Sequence, residues 1–66
     1  MEIGKRYRHK KVGSEIEVRG EYYGKAERTA YFTVILLKEQ NGLTCISKPM
    51  LLPKEKAPEW ELIGGL

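Results

Sequence analysis

The clearest pattern along the chain is the alternation from Ser14 to Tyr22. Ile16, Val18 and Tyr22 fall on one side, and Glu15, Glu17, Arg19 and Glu21 on the other. Apolar residues at every second position mark a strand with one face buried and one in water. Gly20 falls on the apolar side, and its missing side chain predicts a bend or bulge, as where a strand passes from one sheet of a small barrel into another.

From Arg28 to Glu39 the β-branched and aromatic content (Thr29, Tyr31, Phe32, Thr33, Val34, Ile35) predicts a second strand. Asn41-Gly42 follows, and this pair between apolar runs marks a hairpin, because a type I′ turn needs positive φ at both central residues. A two-residue turn there sets a register of Gln40 with Leu43, Glu39 with Thr44, Lys38 with Cys45, Leu37 with Ile46 and Leu36 with Ser47. Leu37 and Ile46 then share a face with Ile35, expected to be the core side. The opposite face, with Phe32, Val34, Leu36 and Cys45, is too apolar for an ordinary solvent face, so either another strand covers it or it is a contact surface.

The remaining elements are shorter. Lys5 to Lys10 is a candidate first strand, ended by a turn at Val12-Gly13-Ser14, and Tyr23 to Glu27 is a polar loop around Gly24. All three prolines lie between Pro49 and Pro58, which argues against a regular helix or central strand, although Met50-Leu51-Leu52 fits one tight apolar turn. Trp60 to Ile63 is a closing strand, and Gly64-Gly65-Leu66 is expected to fray.

Composition narrows the function classes. At 66 residues and 7.6 kDa the chain is one domain, 1–66, with a thin core and little room for a catalytic cleft. No apolar run approaches the roughly 18 residues of a membrane span, and the opening residues lack a secretory apolar stretch, so a cytoplasmic protein is expected. Cys45 is the only cysteine, His9 the only histidine, and there is no Asp. Neither an internal disulfide nor a monomeric zinc or calcium site can be assembled from that inventory, and no cofactor is implied.

The net charge of +3 is unevenly spread. Residues 1–11 hold five basic residues against one Glu, whereas residues 12–66 hold seven against eight. The excess thus gathers in Lys5-Arg6-Tyr7-Arg8-His9-Lys10-Lys11, where alternation puts Arg6, Arg8 and Lys10 on one side. Such a stripe suits nucleic acid, with Tyr7 and His9 able to stack on bases, or an acidic protein patch; the plain reading is a solvated strand.

Tyr22, Tyr23, Tyr31 and Trp60 could line a peptide groove, though aromatics more often fill a small core. Alternation assigns Tyr22 to the core and leaves Tyr23 on the surface. Cys45 with His9 could in principle pair nucleophile and base, but no orienting third residue accompanies them, and a lone strand cysteine more often acts as a small buried hydrophobe. Lys54-Glu55-Lys56 reads as a solvated loop.

Gly4, Tyr7-Arg8-His9-Lys10, Gly13, Glu15-Ile16-Glu17-Val18 and the closing Trp60-Glu61-Leu62-Ile63 resemble a group of short, mostly uncharacterised bacterial and bacteriophage proteins. The order of short strands also looks like an SH3-like small barrel. The match covers about a quarter of the chain, and the Pro49–Pro58 segment is longer than such a barrel's usual connection. The resemblance implies an all-β fold, a small SH3-like barrel of about five short antiparallel strands, of phage or bacterial origin and with a binding role.

The expected protein is therefore a non-enzymatic binding module without metal or cofactor. Its expected contact residues are Arg6, Arg8, Lys10, Tyr23, Phe32, Val34 and Leu36. A protein partner, such as a host protein, comes first; nucleic acid is the alternative, and a homodimer is compatible with either.

Overall fold

A computed structural model of the chain describes residues 1–24 and 30–65. Among them six strands form one antiparallel sheet: β1 Lys5–His9, β2 Glu15–Tyr23, β3 Ala30–Gln40, β4 Leu43–Ile46, β5 Met50–Pro53 and β6 Trp60–Gly65. A short 3-10 helix, Lys54–Glu59, precedes β6. The order is β4-β3-β2-β1-β6, with β5 also on β3, so β4 and β5 succeed one another along one edge of β3. The protein is all-β, and its sheet is an open ladder.

The Asn41-Gly42 turn forms as its chemistry requires, with φ of 53° and 79°. The β3–β4 register is the expected one from Gln40↔Leu43 to Leu37↔Ile46. Beyond it the Ser47 N–H donates to the Leu36 carbonyl at 3.0 Å, and the Leu36 N–H donates to Ser47 Oγ at 2.8 Å. A side-chain oxygen has replaced a backbone carbonyl, which ends β4 and lets the chain step over Lys48 and Pro49 into β5.

Several expectations need correction. Met50–Pro53 is a strand rather than a turn, because on an edge Pro53 has no ladder bond to forfeit. Gly64 and Gly65 pair with Arg6 and Lys5 instead of fraying. Tyr23 belongs to β2, and Lys54-Glu55-Lys56 opens the 3-10 helix. The expected loop beyond Gly24, the start of the second strand at Arg28 and Thr29, and the expected fraying of Leu66 lie outside the described residues.

The largest correction concerns the sides of β3. Phe32 and Val34 are buried with Tyr7, Ile16 and Val18, and Leu36 packs half-buried against them. The cause is pairing: Ile16↔Leu36 and Val18↔Val34 put the apolar side of β2 and the even-numbered side of β3 on one face. Ile35, on the other side, is nonetheless buried, but Leu37 is half-exposed and Ile46 is 60% exposed.

The bulge predicted at Gly20 is present, since the β2–β3 register shifts between Val18 and Gly20. An extra residue reverses the parity of everything after it. Tyr22 therefore leaves the core side and is 50% exposed, opposite Tyr31, while Glu21 pairs with Phe32 on the inner side.

Candidate functional site

The register defines an outer face on the β2–β3–β5 part of the sheet. Tyr22 lies beside Tyr31, Tyr31 beside Pro53, and Thr33 beside Leu51. Antiparallel partners share a face, so these side chains form one patch. The Tyr22 and Tyr31 rings stand 6.2 Å apart at 48°, and Leu51 is 52% exposed. Toward the hairpin the same face continues through Leu37 and Ile46.

The neighbouring half of this face is ionic. Glu17, almost fully buried, receives Arg19 Nε at 2.8 Å and Arg6 Nε at 3.6 Å, and Arg8 approaches Glu15 at 3.9 Å. With Glu61 beside Arg8, three cations here meet three carboxylates. The expected cationic stripe thus exists for Arg6 and Arg8, but both are matched in charge across the ladder. Lys10 lies past the end of β1. It lines a depression of about 360 Å³ with His9, Lys11, Pro58 and Glu59.

His9 serves the fold. Its Nδ1 accepts from the Lys11 and Val12 N–H groups, each at 3.2 Å, and its Nε2 lies 3.2 Å from Glu59 Oε1. Two donors at Nδ1 assign the proton to Nε2, which donates to Glu59. The hydrogen bond from His9 holds the Glu59 carboxyl below its ordinary range, with Lys56 adding to the effect. The ring also packs edge-on against Trp60 at 5.0 Å. Cys45, exposed on β4, sits at the far end of the ladder from the β1–β6 pair that holds His9, so the two do not form a nucleophile and base. Its exposure also corrects the expectation of a small buried hydrophobe.

Of the expected contact residues, Phe32 and Val34 are core and Leu36 supports it, which removes them from a contact surface. Tyr23 is exposed, but its hydroxyl donates to Glu21 at 2.7 Å and accepts from Lys54 Nζ at 2.9 Å. Lys54 also lies 4.7 Å and 4.9 Å from the Tyr23 and Phe32 ring centres and 3.3 Å from Glu21. The Tyr23 hydroxyl first, then Lys54, lower the Glu21 pKa; the same contacts raise that of Lys54. This cluster pins the start of the 3-10 helix to the sheet. Sequence reasoning missed it because Glu21 reaches the inner side only through the bulge.

Tyr22, Tyr31 and Leu51 are the surface residues that sequence reasoning did not bring together. The sequence groups Tyr22 and Tyr31 only as two of four groove-lining aromatics, with Tyr22 assigned to the core, so their adjacency needed the β2–β3 register and Leu51 needed that of β3–β5. Among the described residues no helix is long and apolar enough to cross a membrane. No protein family, curated protein or solved structure matches the chain.

Proposed function

We propose that this chain is a non-enzymatic small barrel of the SH3-like kind that binds a protein partner through the outer face of β2, β3 and β5. The carrying observation is the patch of Tyr22, Tyr31 and Leu51, apolar in body and hydroxyl-bearing at its tyrosine tips, beside a charge-balanced rim. Exposed aromatic and aliphatic groups surrounded by polar ones are what protein interfaces are made of. The SH3-like reading draws support from a meander whose last strand follows a 3-10 helix and returns to pair with the first. The resemblance to short bacterial and bacteriophage proteins makes a host protein the expected partner class.

Nucleic acid is the weaker reading. Arg6 and Arg8 carry their counterions as Glu17 and Glu15, and those carboxylates would repel an approaching phosphate.

The test is capture of bacterial protein by the immobilised chain in high salt, compared between wild type and Leu51→Glu. A binding partner held by wild type and lost from the folded variant is expected. Capture that survives Leu51→Glu but disappears when Arg6, Arg8 and Lys10 become Gln would overturn the assignment, as would firm binding of mixed-sequence DNA at physiological salt.

A further inference from the structure

Among the described residues three strands, β4, β5 and β6, pair with one neighbour each, and their free edges are not equally guarded. β6 carries Glu61, two glycines and a register shift, and β5 ends in Pro53 with Pro49 just before it. Charges, prolines and bulges are the devices by which proteins keep strand edges from pairing. β4, Leu43-Thr44-Cys45-Ile46, has none of them, and all four residues are exposed. Among the described residues β3 is its only partner, on one side.

The direction of its free backbone groups follows from the hairpin. A two-residue turn makes Gln40↔Leu43 a hydrogen-bonded pair, and such pairs alternate with open ones along an antiparallel ladder. The bond from the Ser47 N–H to the Leu36 carbonyl confirms the phase. Leu43 and Cys45 therefore bond inward to β3, while the N–H and C=O of Thr44 and Ile46 point out from the edge.

We propose that two copies of the chain pair antiparallel through β4, about a twofold axis at Cys45. The outward groups of Thr44 and Ile46 flank Cys45 symmetrically, so each Thr44 meets Ile46 of the second copy and the outward groups of both residues are satisfied. This self-complementarity is why the occupant is a second copy. On the outer face Ile46, 60% exposed in the single chain, gains a neighbour across the axis, and on the inner face Leu43, 71% exposed, does the same. Pro49 keeps the new ladder short, so association is weak and concentration-dependent. The pairing uses an edge rather than the face assigned to the protein partner, and stands apart from that assignment.

In this register the two Cys45 residues form an open pair with Cα atoms about 4.5 Å apart, within the roughly 4.4–6.8 Å that a disulfide spans. Centring on Thr44 instead would set them about 7–8 Å apart on a diagonal, and no bridge would close.

The experiment joins mass and cross-linking. Sedimentation equilibrium should show the mass rising with concentration toward twice the 7.6 kDa chain. Diamide should link Cys45 to Cys45: two thiols lose two protons and two electrons to the diazene, which becomes a hydrazine as one S–S bond forms. Thr44→Pro deletes an outward donor and leaves the inward bonds of β4 intact. It should slow linked-dimer formation at least about tenfold, with the rate of Cys45 toward a small thiol reagent unchanged. Ile46→Lys, at an exposed site, should do the same and keeps the test open if proline disturbs the hairpin. A wild type that stays monomeric at every concentration, folded variants that cross-link at the wild-type rate, or a reversible dimer that diamide does not link would each overturn the proposal.

Discussion

Val34→Ala tests the reversed sides of β3 most directly. Val34 is 2% exposed and sits in the cluster with Tyr7, Ile16, Val18 and Phe32. Removing two methyl groups forfeits about 1.6 kcal/mol of transfer free energy at about 0.8 per carbon. A residual cavity of roughly 50 Å³ adds about 1 kcal/mol at about 24 cal/mol per Å³. The expected loss is about 2–3 kcal/mol, a large share of the roughly 3–10 kcal/mol that a domain of this length holds. In thermal melts this corresponds to a drop of about 10–20 °C, checked independently by urea titration. Ile46→Ala, on the opposite face and 60% exposed, should stay within about 0.5 kcal/mol. If the Ile46 variant lost more stability than the Val34 variant, the core would lie on the other side of the strand and the argument from pairing would fail.

Two further predictions concern the turns and the charge cluster. Gly42→Val should destabilise by about 1–3 kcal/mol, because a β-branched residue at φ of 79° is strained, whereas Gly20→Ala, which meets nothing within 4 Å and needs no left-handed backbone, should melt like wild type; equal losses at both sites would sink the distinction. The Glu21 carboxyl is lowered by Tyr23 and Lys54, so its contribution is present above the unfolded carboxylate value of about 4.3 and lost as pH falls through the lower folded value. Glu21→Gln should therefore flatten the acid limb of stability against pH, and an unchanged limb by denaturant titration would refute the coupling.

Local chemistry made the β3–β4 hairpin legible to the residue, because Asn41-Gly42 admits few alternatives to its turn. The alternation from Glu15 to Val18 was equally readable, being a property of one strand. What failed was parity. The sequence signals a bulge at Gly20 but does not say which residue is inserted, and one unit of slip moves Tyr22 out of the core and Glu21 inward. The same limit applies to the sides of β3. An eleven-residue strand apolar on both faces gives no internal reason to choose, and the choice comes from its partner on β2. Leu51 entered the outer patch through a strand too short and too close to prolines to be read locally, and the pairing of Arg6 and Arg8 with glutamates required the β1–β2 register.

The return of β6 to β1 also bears on how the chain folds. The β3–β4 turn closes over two residues, whereas Tyr7↔Leu62 joins parts of the chain more than fifty residues apart. Closing the longer loop from an unstructured chain costs about 3 kcal/mol more in entropy, taking the cost as (3/2)RT ln n. The hairpin can form within about 1–10 μs, and the β1–β6 ladder closes once the intervening strands have shortened the gap between its halves. A truncation at Trp60 would then chiefly speed unfolding, leaving the rate of folding nearly unchanged.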